Sequence, residues 1–339
     1  MDSITQAVLG AAIGQAGYRH RLGRRALLFG AVCGTLPDLD VVAGLAGEWA
    51  SLLHHRGPSH SVLVLPLVAP LVGTLGYRLS GRRGAWRDWW QLAFWALITH
   101  PLLDVFTSYG TQLLSPLSDR RFALDGLSII DPAYTLPLLL VVLAACRKSA
   151  GVFTRRAALV ALLLTTLYGF VGYLQSQRVI HKATEVLAAE GFVPVRVRAL
   201  PTFMNVIAFR VIARNVDGDV RVGYTTPAEE VPLNFLASPA ANSDHVETLL
   251  ATREGQIFAW FTDGFLRAEV RSRGEGQHVR LHDLRYGRLS APLESLWGAE
   301  GTVGQNGKGT LSRWNERSGF DVREEWRRQW ALIFRGELP

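Results

Sequence analysis

Three of the chain's nine histidines, one arginine and two serine hydroxyls fall within the eight residues 54–61 (HHRGPSHS). The residues that follow, 62–76, are almost wholly apolar. A polar, imidazole-rich segment at the edge of a membrane segment is costly unless it binds something. The stretch therefore indicates a site for a metal ion, an anion or both. The alternative is a solvated interfacial loop that is rich in histidine.

Two carboxylates, Asp38 and Asp40, interrupt the apolar segment 26–46 just after Pro37. Ionisable side chains inside a hydrophobic stretch are expensive to bury, and they mark function by default. The proline should break the helix, free its backbone and turn both carboxylates towards a cavity. The alternative is that the two acids only cap the next helix.

A histidine and an aspartate, His100 and Asp104, lie four residues apart in the apolar segment 91–106. Residues with this spacing share one face of a helix, so both side chains could point at one ion. The alternative is a buried histidine that is hydrogen-bonded to the aspartate within a helical bundle.

Histidine and carboxylate side chains without cysteine are suitable ligands for Zn²⁺, Mn²⁺ or Fe²⁺. The predicted metal ligands are Asp38, Asp40, His55, His60, His100 and Asp104. This set exceeds the needs of one tetrahedral ion, so two ions about 3.5–4 Å apart are an alternative to one. Such a site lowers the pKa of bound water to about 7 and stabilises an in-line displacement at phosphorus. We therefore predict a divalent metal centre, most readily zinc, that activates water for hydrolysis.

Arginines near these ligands could neutralise a phosphate group. Arg56 lies inside the histidine-rich stretch, and Arg120 and Arg121 lie in the long polar segment that follows the fourth apolar segment. Asp131 ends that polar segment and is a further catalytic candidate, beside Arg56 and Arg120. Nucleophilic attack by Ser61, activated by the preceding histidine, is an alternative whose geometry adjacent loop residues rarely achieve.

The elements that must position these residues are apolar segments. Of the 339 residues 48% are hydrophobic and only 19% are charged, and the hydrophobic ones are concentrated in the first half. Six apolar segments can be distinguished, at residues 4–17, 26–46, 61–77, 91–106, 134–146 and 157–174. We therefore predict a membrane protein in which residues 1–175 form an α-helical transmembrane bundle of about five or six segments.

Basic residues between the segments predict the orientation. The clusters at 19–25, 78–87 and 147–156 fall in the first, third and fifth connections, which the positive-inside rule assigns to the cytoplasm. The candidate ligands then lie on the opposite, periplasmic or outer side. This distribution also accounts for the net charge of +7, so no nucleic-acid partner is expected.

From about residue 176 the pattern changes to the alternation typical of β-strands. Strands are predicted at 195–200, 204–214, 220–225, 257–261, 266–271 and 279–284, with a final strand or helix at 326–334. Residues 176–339 are therefore predicted to form a soluble α+β or mostly-β domain on the outer side. Its histidines have no spacing typical of metal ligands, and two cysteines in the whole chain imply no disulfide framework.

The motifs resemble those of the YdjM/YbcI-type family of bacterial inner-membrane proteins, described as predicted metal-dependent hydrolases and also as LexA-binding. The matching residues cover roughly the first half of the chain and are Met1–Gln6, Gly34–Asp40, His55–Ser61, Thr99–Asp104 and Ile130–Pro132. The resemblance implies a multi-pass protein of the inner membrane. It also implies that the family's histidines and aspartates correspond to the six ligands predicted above.

These observations together favour a membrane-bound metal-dependent hydrolase at the outer face of the bacterial inner membrane. Its substrate would be a phosphoester or another small or lipid-linked molecule. The alternative is a non-catalytic membrane protein that carries or senses a metal ion or a proton, or a regulatory partner of LexA. Transport needs acidic residues along a path through several segments, whereas here they collect at one face, which favours the enzyme.

Overall fold

The computed structural model describes residues 1–147, 151–240, 243–273, 276–304, 309–315 and 321–337. The chain divides into two compact units. The N-terminal unit contains Met1–Leu174 and Phe203–Asn205, and the C-terminal unit contains Gln175–Thr202 and Val206–Pro339.

The N-terminal unit is helical. Its helices are α1 (Ser3–Ile13), α2 (Arg19–Leu22), α3 (Arg25–Thr35), α4 (Glu48–His54), α5 (Leu65–Leu79), α6 (Trp86–Asp104), α7 (Pro132–Ala145) and α8 (Val152–Ala189), the last of which continues into the C-terminal unit. Two 3₁₀ segments, Leu36–Ala46 and Pro58–His60, carry the proline-containing motifs. A π-helical turn, Gly14–Tyr18, joins α1 to α2.

Two stretches of the described chain are long and apolar enough to cross a membrane, Arg25–Ala46 and Val152–Ala189. A third span results if Glu48–His60 and Leu65–Leu79, which meet at 75°, form one broken span. These stretches contain the second, third and sixth predicted segments. The predicted bundle of five or six spanning segments is therefore not supported.

Length and polarity explain this difference. A spanning helix needs about 20 residues, but the fifth apolar segment forms the 14-residue α7. The helix of the first apolar segment runs from α1 through the π-helical turn into the basic α2. Helix α6 has 19 residues, and among them the fourth apolar segment follows the charged Arg87 and Asp88. An apolar composition alone did not indicate where each helix ends.

Helices α1 and α3 pack backbone against backbone through glycines. A Cβ atom on Gly10 would lie 2.1 Å from the carbonyl oxygen of Gly30, and one on Gly34 would lie 2.4 Å from that of Gln6. Small residues permit this approach between helices in a membrane. The contact brings the start of α1 next to the 3₁₀ segment that follows α3, where Asp38 and Asp40 lie.

The C-terminal unit contains two four-stranded antiparallel sheets. The first has the order β1 (Arg196–Pro201), β2 (Phe209–Arg214), β3 (Val220–Thr225) and β4 (Leu236–Ser238), and the second β5 (Leu266–Arg273), β6 (Gly276–Asp283), β7 (Trp297–Val303) and β8 (Gly309–Asn315). Three helices complete the unit: α9 (Asp244–Leu250), α10 (Arg253–Thr262) and α11 (Val322–Arg335). The prediction of a C-terminal domain rich in β-strands is confirmed.

One predicted strand is wrong. Residues 257–261 lie in α10, where Ile257, Phe258 and Phe261 are buried at helical spacing. A short run of apolar residues does not distinguish a buried strand from a buried helix. The helix starts at a cap, because the Thr252 hydroxyl accepts a hydrogen bond from the Gly255 amide at 3.1 Å. The residues 326–334 belong to α11.

Candidate metal centre

Four side chains from three elements converge inside the N-terminal unit. Asp38 comes from the first 3₁₀ segment, His60 from the second, and His100 and Asp104 from the last turns of α6. One ligand atom of each residue lies within 4.8 Å of the corresponding atom of every other. His60, His100 and Asp104 are fully buried, and the Asp38 side chain is 15% exposed. We call this group the four-residue cluster.

The spacing of the four ligand atoms fits one tetrahedral ion. The two histidine Nε2 atoms are 3.0 Å apart. Asp104 Oδ2 lies 3.3 Å and 3.5 Å from them, and Asp38 Oδ1 lies 3.7 Å and 3.4 Å from the same two atoms. Ligands bound at about 2.0–2.2 Å to a tetrahedral ion are separated by about 3.3–3.6 Å. These five distances lie close to that range, so the four atoms could hold one metal ion.

The hydrogen bond behind His100 determines which ring nitrogen faces the cluster as an acceptor. Nδ1 lies 2.6 Å from the carbonyl oxygen of Gly34, which can only accept a hydrogen bond. Nδ1 therefore carries the proton, and in the neutral ring Nε2 presents a lone pair to the cluster. Metal-binding histidines are commonly oriented by such a bond from the other ring nitrogen.

The neighbours of His60 place its proton on Nδ1 as well. The Ser59 hydroxyl donates to Asp40 Oδ2 at 2.6 Å, so its oxygen is left to accept from His60 Nδ1 at 2.9 Å. Asp40 Oδ2 is a second acceptor for Nδ1, at 3.2 Å. His60 Nδ1 is therefore protonated, and its Nε2 also presents a lone pair to the cluster.

One oxygen of the cluster lacks a hydrogen bond. Asp104 Oδ2 is buried and has no hydrogen-bond partner within the described chain, whereas Oδ1 accepts from Gln6 Nε2 at 3.1 Å and from the Met1 amino group. Buried polar atoms are nearly always paired, and a metal ion is one explanation of an exception. Two carboxylate oxygens and two imidazole lone pairs thus face one point, an arrangement that a metal ion would stabilise.

Two of the six predicted metal ligands, Asp40 and His55, are not in the four-residue cluster but lie behind it. Asp40 Oδ1 accepts from His55 Nδ1 at 2.7 Å, and Asp40 Oδ2 accepts from the Arg56 amide at 2.9 Å as well as from Ser59. Asp40 therefore orients His60, and His55 orients Asp40. Among the described residues there is no second group of three potential ligands, so the structure offers one ion position rather than two.

Arg56 lies against the cluster. Its backbone has a φ of 63°, its Nε lies 3.2 Å from Asp104 Oδ2, and its Nη1 donates to Thr107 Oγ1 at 2.9 Å. The guanidinium is stacked over the Tyr109 ring at 4.7 Å from the centroid. The Arg121 guanidinium approaches the same ring, at 5.3 Å. Two arginines therefore share one aromatic ring next to the metal ligands.

The other two predicted catalytic residues are placed differently. Arg120 is exposed, and its guanidinium lies over Phe122 at 5.2 Å. The Asp131 carboxylate caps α7 by accepting from the amides of Ala133 at 3.0 Å and Tyr134 at 3.3 Å, and the Tyr168 hydroxyl also donates to it at 3.1 Å. Neither residue belongs to the four-residue cluster, and Asp131 holds α7 and α8 in place.

Two residues of α1 that the sequence analysis did not connect to the site also contact the cluster. The Ser3 hydroxyl donates to Asp38 Oδ2 at 2.9 Å, and Gln6 Nε2 donates to Asp104 Oδ1. A signal was present, because Ser3 and Gln6 are three residues apart and so share a face of a mostly apolar helix. Asp2 caps this helix.

Comparison with known proteins connects the chain to an inner-membrane family. The sequence profile of the family described as "YdjM inner membrane protein" matches residues 1–179. The chain is also similar to the "Uncharacterized protein YfhP" of Bacillus subtilis (strain 168), with 22% identity over 298 residues, 84% of this chain and 87% of the relative. Because 298 residues exceed the family match, this similarity extends into the C-terminal unit. No solved structure matches the chain.

Proposed function

Because the chain belongs to the YdjM inner membrane protein family, we propose that it is a membrane-bound hydrolase that binds one divalent metal ion in the four-residue cluster. The proposal rests on one observation above all. Four buried or half-buried acceptor atoms face a single point, and the five distances given above, 3.0–3.7 Å, are close to those of a tetrahedral ion. Zinc fits this set of nitrogen and oxygen ligands best, and Mn²⁺ or Fe²⁺ are the alternatives.

When bound, such an ion would supply an activated water molecule, whose pKa falls to about 7. The chain's own residues provide the surroundings. His60, His100 and Asp104 are fully buried, whereas Asp38 is partly exposed. We infer that substrate and water approach from the Asp38 side, where this carboxylate could also accept a proton. The half-buried Asp40 and His55 help to keep the proton of His60 on Nδ1, so that its Nε2 can bind the ion.

A phosphate group is the best substrate moiety for this surface. Arg56 and Arg121 both lie on Tyr109, and arginine presents planar donors that suit phosphate oxygens. We expect Arg121→Gln to raise the KM for a phosphoester about tenfold while kcat changes little, because its role is to bind the substrate. Arg120→Gln is the matched control and should leave both constants unchanged. Equal effects of the two substitutions would contradict this assignment.

A groove in the N-terminal unit supports a substrate with a hydrocarbon chain. It has a volume of about 310 Å³ and is lined mainly by Leu9, Ile13, Leu102, Leu103, Phe106 and Leu162. The threonines that also line it, Thr99, Thr165 and Thr166, donate their hydroxyls to carbonyls of their own helices and so present methyl groups. Leu103 precedes the ligand Asp104 in α6. The same helix thus carries the groove and the metal ligands on neighbouring faces.

The positions of the basic residues support a site on the outer side of the membrane. Arg24 and Arg25 lie at the start of α3, Arg78 near the end of α5 and Arg87 near the start of α6. In each case the cluster lies at the other end of the helix. The positive-inside rule would place the basic ends in the cytoplasm. The cluster would then face the periplasmic or outer side.

Metal analysis of purified full-length protein tests the proposal. We expect one equivalent of zinc, manganese or iron per chain, and loss of that metal in His60→Ala and in Asp104→Ala. His54→Ala is the matched control, because His54 lies in the same histidine-rich stretch but is exposed and outside the cluster. Metal-free protein after reconstitution with each ion would refute the proposed centre. A phosphoesterase screen of the loaded protein then tests catalysis.

A second function has one observation in its favour. Structural zinc sites are usually closed by four protein ligands, whereas catalytic sites keep one position for water. The cluster offers four ligands. If Asp38→Asn loses the metal and no phosphoester or lipid-linked substrate is hydrolysed by the wild type, a non-catalytic metal-binding or regulatory role is the better conclusion.

A further inference from the structure

Helix α11 is fixed to the C-terminal unit by one face. Leu332 packs against Tyr224 and Leu289 within a buried cluster. The buried Glu325 carboxylate accepts from the amides of Leu289 at 2.7 Å and Ser290 at 3.0 Å. These contacts hold the helix against rotation about its axis. They therefore determine which residues of α11 point away from the unit.

The outward face combines arginines with large aromatic side chains. Arg323, Arg327, Trp330 and Phe334 are exposed and follow one another at steps of four, three and four residues, which places them on one stripe of the helix. Trp330 is 54% exposed and Phe334 67% exposed. Their rings are stacked, with centroids 4.6 Å apart. A contiguous aromatic surface of this kind indicates a binding surface.

The charge of this stripe is positive. Arg323 and Arg327 form no ion pair with any described residue, whereas Arg328 is paired with Glu324 at 2.7 Å. Glu325 is buried on the opposite face, and Asp321 caps the start of the helix by accepting from the amides of Arg323 and Glu324. Among the described residues, the stripe therefore carries two arginines without an ion-pair partner, next to two exposed rings.

We propose that the stripe Arg323–Arg327–Trp330–Phe334 binds the headgroup region of a bilayer that contains anionic phospholipids. Tryptophan and phenylalanine side chains partition into the membrane interface, and arginines are attracted by anionic headgroups. A bilayer lies within reach because α8, one of the candidate spans, also supplies Val179 to the core of this unit. The partner is therefore lipid rather than nucleic acid or a peptide.

The test uses the full chain in nanodiscs, with an environment-sensitive NBD fluorophore on Glu337→Cys, next to the stripe. The exposed Cys146 is first replaced by serine, and Cys33 is buried. We expect a blue-shifted emission, and quenching by nitroxide-labelled lipid, in nanodiscs with phosphatidylglycerol. Both signals should be weaker in purely phosphatidylcholine nanodiscs and in high salt. A fluorophore on the exposed Asp217→Cys serves as the unaffected reference position.

Substitutions in the stripe separate the contribution of the arginines from that of the aromatic rings. Arg323→Gln with Arg327→Gln should reduce the ratio of membrane-docked to undocked C-terminal unit about 25-fold, since each arginine near an anionic surface contributes about fivefold. Trp330→Ser with Phe334→Ser should abolish quenching in both lipids. The matched control Arg253→Gln, an exposed arginine of α10, should change nothing.

Two results would overturn the proposal. One is an unquenched fluorophore at 337 in both lipid compositions while α11 remains protected from hydrogen exchange. The other is a fluorescence change that depends on protein concentration in detergent but not on lipid charge, because the stripe would then bind a second protein chain. Neither result bears on the metal centre, which is tested by metal content.

Discussion

Asp40 offers a sharp test of the proposed metal centre, because it lies behind the ligands and yet should control metal affinity. Its Oδ1 accepts from His55 Nδ1 at 2.7 Å, and its Oδ2 accepts from the Ser59 hydroxyl at 2.6 Å and the Arg56 amide at 2.9 Å. Asp40→Asn keeps the shape of the side chain but replaces one oxygen by an NH₂ group. That group is itself a donor. At least one of the three groups that donate to Asp40 in the wild type therefore loses its acceptor.

The expected effect follows from what these donors do. If the Ser59 hydroxyl no longer donates to residue 40, it can donate to His60 Nδ1 and favour the tautomer whose proton lies on Nε2. That tautomer cannot bind a metal ion through Nε2. Groups that orient metal ligands contribute about 10–100-fold to affinity, which corresponds to about 1.4–2.7 kcal/mol. Asp104→Asn removes a ligand and should reduce affinity further.

Competition with a chromophoric chelator measures the zinc affinity of the wild type, Asp40→Asn and the control His54→Ala in detergent. The Co²⁺-loaded proteins also give absorption spectra that report coordination geometry. We expect the control to bind as the wild type does. Zinc binding by a folded Asp40→Asn variant that equals the wild type would refute the role of Asp40 and weaken the tautomer argument.

Further predictions concern the packing, orientation and pH dependence of the chain. Gly30→Ala should destabilise the N-terminal unit by about 2 kcal/mol in thermal unfolding, because its Cβ would lie 2.2 Å from the Gly10 carbonyl oxygen. Gly17→Ala is the control, since a Cβ atom there meets nothing within 4 Å. The exposed Cys146 should resist a membrane-impermeant maleimide in intact cells and react after lysis, and labelling in intact cells would reverse the proposed orientation. Burial lowers the pKa of His282 to about 4, so the unfolded chain takes up this proton first as the pH falls from about 6.5. The free energy of unfolding should then decrease by at most about 3 kcal/mol between pH 6.5 and 4, and His282→Gln should flatten that dependence in thermal unfolding.

The sequence was sufficient to identify six candidate metal ligands but not to tell which of them form the cluster. All four members of the cluster are among the six predicted ligands, because ionisable residues inside apolar segments are costly and therefore conspicuous. Asp38 and Asp40 are two residues apart in a 3₁₀ segment, and spacing alone cannot tell which one faces the ion. The contacts of Asp40 with Ser59 and His55 make that difference, and which of the two carboxylates these side chains contact depends on the folded chain.

The number of spanning segments was harder to predict for a related reason. Hydropathy reports how apolar a segment is, but a span also requires a continuous helix of about 20 residues. The path of α1 depends on its packing, including the backbone contact of Gly10 with Gly30, and the helix then passes through a π-helical turn into the basic α2. Such contacts between distant residues are not encoded in local composition.

The charges around the cluster favour a bound cation. Asp38, Asp40 and Asp104 contribute three negative charges, and the positive groups that contact Asp104 are the Arg56 guanidinium and the Met1 amino group. With both histidines neutral, as their hydrogen bonds indicate, at least one negative charge is left for a bound cation to neutralise. Charge that is buried without a partner is strongly destabilising. The metal ion would therefore stabilise the N-terminal unit as well as supply its chemistry, and a buried centre of this kind can persist in an apolar unit only if binding and folding are coupled.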